Sequence, residues 1–151
     1  MKDGWFRVGA AAPLASVADA HGRGAAAVRD AVSASLSGVD LLVMPEYTLT
    51  AGELGDLACQ SALLSAAEQA LSAFIRATAE LPMLTLLGLP VLFHGRVFSA
   101  AAAVSQGKLL ALVTREELAA RRISLAGFSD VPFGSELLLR AENAKGLTHG
   151  L

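Results

Sequence analysis

Glu46 is the side chain in this sequence best placed to move a proton. It follows Val39 to Met44 (VDLLVM), a short apolar run that predicts a central strand covered on both faces, and Pro45 ends that run at once. Sheets of α/β proteins open their ligand crevices at such strand ends. A carboxylate partly withdrawn from water there can act as a general base. Position alone favours the plainer alternative, a solvated loop glutamate capping a backbone donor. Cys59 is the one thiol. A nucleophilic thiol needs a neighbouring base or a helix N-terminus. Cys59 precedes a predicted helix, but its flanks, Leu57-Ala58 and Gln60-Ser61, carry no base. A buried structural cysteine is the expectation. His21, His94 and His149 lack metal-ligand spacing; two sit beside glycines in expected turns, and solvated loop histidines are the expectation. Gly22-Arg23-Gly24 lacks the lysine and the remaining glycines of a phosphate loop. Glu116-Glu117 with Arg121-Arg122 predicts a salt-bridged helix face. The alternative is that Arg115, Arg121 and Arg122 cluster at the crevice mouth and hold a carboxylate.

The elements that must position these residues are legible in part. Trp5 to Ala12 predicts a buried strand, stopped by Pro13. Ala26, Val28, Val32 and Leu36 recur at helical spacing within Gly22 to Leu36, and Gly38 is placed to stop that helix. Ser61 to Glu80 is the longest helical pattern, with Leu63, Leu64, Ala67, Leu71, Phe74 and Ile75 on one face and Ser61 as a cap. Met83 to Leu87 reads as a buried strand. Gly95 sits between Val91-Leu92-Phe93 and Val97-Phe98 as a hairpin turn. Ser105-Gln106-Gly107 joins the next two strands, Val97–Val104 and Lys108–Thr114. Thr114 to Arg122 predicts a short helix, Leu137 to Leu139 a weak edge strand, and Gly146 to Leu151 the start of a further strand. The order strand, helix, strand, helix, strand, hairpins is that of an α/β fold whose sheet carries antiparallel extensions.

Length favours one compact domain: 151 residues, 54% of them apolar, so disorder is excluded. Much of the apolar share is alanine, which buries little area per residue and predicts thin packing. Twelve basic residues stand against fourteen acidic ones, without a basic stripe, so nucleic acid is not an expected partner. The longest apolar stretch, Leu81 to Phe93, is too short for a bilayer and holds Pro82 and Pro90. No membrane association is expected. The N-terminus reads without a signal peptide, and a single cysteine suggests a reducing compartment. The expected location is the cytoplasm.

The stretch Val39 to Thr50 (VDLLVMPEYTLT) resembles the signature of the nitrilase, or carbon–nitrogen hydrolase, superfamily: an apolar strand, Pro-Glu, then a Leu-Thr-Gly-like segment. Within that superfamily it looks like the glutaminase domains of glutamine-dependent NAD synthetases. Gly55-Asp56-Leu57 follows at the spacing of those domains. Leu87-Gly88-Leu89-Pro90, the Gly95 hairpin and Gln106-Gly107-Lys108-Leu109-Leu110 come in the family's order. So do Val131-Pro132-Phe133-Gly134-Ser135-Glu136-Leu137-Leu138 and Gly146-Leu147. The similarity runs from about Phe6 to Leu151.

The resemblance implies a partial nitrilase-like αββα sandwich, a mixed sheet with flanking helices. Residues 1–151 would form a single N-terminal portion of such a domain. It implies a chemistry of three groups, in which a cysteine attacks the amide of glutamine, a glutamate carries the proton and a lysine steadies the tetrahedral intermediate. Glu46 matches the glutamate, and the lysine's register falls on Arg115. Arginine can hold an oxyanion but does not readily give up a proton. Ala51-Gly52 replaces Gly-aromatic, Ser99 stands where an asparagine is usual, and the aromatic-rich loop after the lysine shrinks to Glu116–Arg122. The nucleophile belongs a few residues beyond Leu151. The expectation is thus a portion of an ammonia-supplying amidase domain, inactive alone, that takes glutamine or another small amide. No cofactor is expected in this portion, since ATP would bind a separate synthetase domain. The alternative is a non-catalytic nitrilase-like scaffold that self-associates. Family members pair through their faces, so a homo-oligomer is expected on either reading. A small amidase working through Cys59 and Glu46 ranks last.

Overall fold

The computed structural model describes residues 4–14, 18–50, 57, 59–93 and 95–117, with Arg115 to Glu117 described by backbone alone. Seven elements follow in order: β1 (Val8–Ala10), α1 (Ala20–Leu36), β2 (Leu41–Val43), α2 (Ser61–Ala77), β3 (Leu84–Phe93), β4 (Arg96–Ser105) and β5 (Lys108–Glu117). They build one five-stranded sheet in the order β1-β2-β3-β4-β5. The first three strands are parallel, and β3, β4 and β5 continue as an antiparallel meander. The expected α/β fold with a mixed sheet is present.

Local chemistry explains the boundaries. Asp19 caps α1 by accepting from the Gly22 amide, so the helix starts two residues before the predicted Gly22. It ends as predicted at Gly38, whose φ of +75° closes a Schellman turn: Gly38 N–H donates to Ser35 and Val39 N–H to Ala34. Ser61 is not the cap of α2. Gln60 occupies that position without a side-chain bond, and Ser61 is the first helical residue. The β4–β5 turn places Gln106 and Gly107 both at positive φ, the type I′ geometry that matches strand twist. Pro90 is tolerated inside β3 because Gly88, two residues earlier, points its N–H past the end of β2, toward Pro45. The missing proline donor falls on that same side, where β2 no longer needs it.

Helices α1 and α2 pack against each other and against the sheet. Leu42, Leu71, Phe74, Leu87, Ala102 and Val104 are buried in one cluster with them. The buried apolar positions of α1 are all alanines (Ala20, Ala26, Ala27, Ala31), so the two helices meet closely. At Gly24 an added β-carbon would stand 3.2 Å from that of Ala70. Alternate sheet residues point the other way, and several are open to solvent: Val8, Ala10, Val43, Ala101 and Val113.

Further expectations need correction. Trp5 to Ala12 is not a buried strand; β1 is three residues long at the sheet edge, and Trp5 is 81% exposed. β2 is central in the sheet but covered on one face only, which leaves Val43 38% exposed. β3 is longer than Met83–Leu87, because pairing with β4 carries it through Pro90 to Phe93. Thr114 to Glu117 is not helical. Pairing with β4 extends β5 through these residues, overriding a charged local pattern. The rest of that predicted helix, with the elements expected at Leu137–Leu139 and Gly146–Leu151, lies outside the described residues.

Burial holds the half-buried Glu68 carboxyl on α2 above the ordinary glutamate range. The folded chain therefore binds this proton more tightly than the unfolded chain. Stability is full below the unfolded value, about 4.3, and is partly lost as pH rises through the raised folded value. Glu68→Gln removes the penalty. In thermal unfolding E68Q should melt above the parent near neutral pH, and the difference should vanish as pH falls below about 4.

Candidate active site around Glu46

The site is built where β2 stops. Met44 N–H donates to the Leu86 carbonyl (2.8 Å), the last sheet-like bond of this strand. The chain then turns at Pro45-Glu46 and runs on beside β3. Gly88 N–H donates to Pro45 (3.2 Å) and Leu49 N–H donates to Gly88 (3.3 Å). Within the turn, the Thr48 amide and hydroxyl both donate to the Pro45 carbonyl, at 3.1 and 2.6 Å. Thr48, Leu49 and Thr50 are fully buried, while Glu46 is half-buried.

Glu46 crosses directly over Gly88. A β-carbon at Gly88 would lie 1.6 Å from the Glu46 carbonyl oxygen and 2.4 Å from its α-carbon. Only a residue without a side chain fits, so the glycine of Leu87-Gly88-Leu89-Pro90 is a structural requirement of the Glu46 turn. The crossing brings the Glu46 carboxylate to β4, where the Ser99 hydroxyl donates to its Oε1 at 2.6 Å. Ser99 is 1% exposed. A short bond from a buried hydroxyl to a carboxylate contributes about 1.5–3 kcal/mol and fixes the acceptor's direction.

Beside this pair lies a cavity of about 340 Å³, lined by Val43, Met44, Leu86, Ala101, Val113 and Thr114 as well as Glu46 and Ser99. Its walls are mostly apolar, with the Glu46 carboxylate as the ionisable group in the described lining. The Thr114 hydroxyl is buried without a hydrogen-bond partner among the described residues. In the β4–β5 ladder Ala100 faces Thr114 and Ser99 faces Glu116, so a bulge places Arg115 opposite the step between Ser99 and Ala100. Glu46, Ser99 and the backbone of Arg115 therefore sit on three neighbouring segments at one end of the sheet.

The remaining candidate residues fare differently. Cys59 is exposed, not buried as expected. It lies in the turn before α2, outside that helix's apolar face, and is not among the described residues that line the cavity. His21 belongs to the first turn of α1 and is exposed, so it is a helix residue and not a loop one. Among the described residues no group of three or more His, Cys, Asp or Glu could hold a metal ion. No described helix is long and apolar enough to cross a membrane. His94, His149, Ala51-Gly52, Gly55-Asp56, Arg121 and Arg122 lie outside the described residues. Sequence reasoning did not assign Ser99 a part in the site. Its signal was the family resemblance, in which Ser99 stands where an asparagine is usual.

The fold is that of nitrilase-like α/β amidases. The chain superposes on the amidase of Nesterenkonia sp. AN1 in complex with acrylamide with a TM-score of 0.62, at 18% identity, over 76% of this chain and 44% of that one. Another structure of that amidase carries acrylamide added at its active-site cysteine. A glutamine-dependent NAD(+) synthetase from Cytophaga hutchinsonii superposes with a TM-score of 0.66, at 20% identity, over 74% of this chain and 19% of that one. In sequence the chain is similar to glutamine-dependent NAD(+) synthetases. The Mycobacterium leprae protein is 29% identical over 95% of this chain, and a Mycobacterium tuberculosis protein is 27% identical over the same share. The chain spans about a quarter of the length of these curated relatives. No family model matches it.

Replacing Gly88 by alanine should be among the most damaging single changes, since a backbone carbonyl cannot yield as a side chain can. G88A should cost at least about 3 kcal/mol in urea unfolding, the upper end of ordinary overpacking. A cost below about 1 kcal/mol would mean that the Glu46 turn sits elsewhere.

Proposed function

We propose that this chain forms the Glu46-bearing part of a glutamine-hydrolysing domain that supplies ammonia for NAD synthesis. The observation that carries the reading is the Glu46 carboxylate, held by Ser99 at the end of a parallel strand. Its fold is shared with amidases, and its sequence relatives are glutamine-dependent NAD(+) synthetases.

The chemistry is the one the family resemblance implies for a carboxylate in this place. A thiol gives its proton to Glu46 as its sulfur attacks the amide carbon. Arg115, in the register of the family's lysine, holds the developing oxyanion. The C–N bond then breaks, and ammonia leaves with the proton Glu46 carried. Water then attacks the thioester carbon, Glu46 takes its proton and returns it to the sulfur as the C–S bond breaks, and the acid leaves with thiol and carboxylate restored. The bond from Ser99 keeps the carboxylate aimed throughout. Cys59, exposed in the turn before α2, is not assigned as the attacking thiol. The substrate class is glutamine or another small amide, and the proposed location is the cytoplasm.

A second reading is favoured by the open apolar face of the sheet at Val8, Val43 and Val113. On this reading the chain is a nitrilase-like scaffold that self-associates without catalysis. Light scattering on the purified chain tests this reading: a monomer argues against the scaffold, while glutamine hydrolysis, measured below, decides whether the chain belongs to a catalytic domain.

Three measurements test the catalytic reading. The 151-residue chain should release no ammonia from glutamine above background, and Cys59→Ser should leave that result unchanged. Turnover by this chain would mean that the nucleophile is not where the reading puts it. The messenger sequence past the codon for Leu151 should encode a cysteine within a short distance. In such a longer chain Glu46→Gln should lower glutamine hydrolysis by about 10²–10⁴-fold, and retained activity would remove Glu46 from the mechanism.

A further inference from the structure

Helix α1 carries an arginine where its neighbours are glycine and alanine, and Gly22-Arg23-Gly24 has no phosphate-binding geometry to explain it. Gly24 is accounted for by its contact with Ala70 on α2. Arg23 is 9% exposed, in a helix whose other buried residues are alanine and glycine. Its Nε–H donates to the Thr48 carbonyl at 2.7 Å, and this bond is itself buried. Thr48 is in the turn that presents Glu46, two residues on, and its amide and hydroxyl close that turn onto Pro45.

We propose that Arg23 is the positioning residue for Glu46, a buried strut that fixes the Pro45–Thr50 turn to α1 so that the carboxylate meets Ser99. A long cation is costly to bury in a helix that otherwise packs through alanines. Burial indeed lowers the guanidinium's proton affinity below its ordinary value. The cost is offset because the Thr48 carbonyl points away from the turn's own bonds and would otherwise be left in a dry interior. The turn is thus held from two sides. Glycine at position 88 lets the backbone descend onto β3, and Arg23 holds its far side to α1. Ser99 then meets a carboxylate whose backbone is fixed. The importance of Arg23 for catalysis rests on Glu46 being the base. Its positional role does not, and the test reads position.

The test compares the 151-residue parent with Arg23→Met, Arg23→Lys and Ser99→Ala by amide hydrogen exchange and by the ¹³C resonance of the Glu46 carboxyl carbon. In R23M, exchange at Leu49 and Thr50 should accelerate about tenfold or more, the size expected for losing one charge-assisted hydrogen bond. The β3–β4 ladder should change far less. The Glu46 resonance should move in the direction seen for S99A, and the double variant should show less than the sum of the two shifts. R23K, which keeps a donor but not the fork, should fall between parent and R23M on both readouts. If R23M does not fold, R23K alone decides: its Leu49 and Thr50 amides must accelerate ahead of the ladder. Unchanged exchange and an unmoved Glu46 resonance would overturn the proposal. Acceleration in parallel across the whole sheet would overturn it too, because Arg23 would then be a general stability residue. Failure of either kind leaves the role of Glu46 in amide hydrolysis untouched, since ammonia release reports that separately.

Discussion

At Gly88 the chain has no room for a β-carbon, because the carbonyl of Glu46 passes through the space one would occupy. The rest of the site depends on that crossing. A parallel strand that ended normally would lead its loop away from the sheet, and a glutamate there would meet water. Here the segment after β2 stays on β3, exchanging bonds with Gly88 on both sides of the turn. The carboxylate is thereby carried across one strand to Ser99 on the next. Steric exclusion at one residue and a hydrogen bond at another thus determine where a proton acceptor can stand.

Around that crossing the molecule is asymmetric. One face of the sheet is closed by two helices that approach through alanine and glycine, which explains how so alanine-rich a sequence builds a core. Small residues contribute little area singly but let Leu71, Phe74, Leu87 and Leu42 meet without gaps. The opposite face carries Val8, Val43 and Val113 partly in water. In the amidase that shares this fold, more than half of the chain lies outside the matched region. The cavity beside Glu46 is bordered by Val43 and Val113, so the open face of the sheet and the surroundings of the carboxylate share residues.

Much of the fold was legible locally. The 3.6-residue spacing in Ser61 to Glu80 identified the face of α2 that is buried, though the helix itself ends at Ala77, and Gly38, Gly95 and Gly107 marked turns that do require positive φ. The local patterns mislead where neighbours decide burial. Trp5 to Ala12 is as apolar as a core strand, yet its place at the sheet edge leaves it exposed. Thr114 to Glu117 has the charges of a helix surface, but pairing with β4 makes it strand. Cysteine as a residue type favours burial, yet the turn before α2 puts Cys59 in water.

By itself the sequence determined the order of elements, the turns between them and the stop after β2 that exposes Glu46. These are properties of residues close together in the chain, set by backbone preference and side-chain period. Tertiary structure alone decided what Glu46 touches. Ser99 is 53 residues away and Arg23, which holds the neighbouring Thr48, comes from α1. Their meeting depends on the β3–β4 register and on how closely α1 can approach α2. Both are outcomes of packing the whole chain, and no local pattern encodes them.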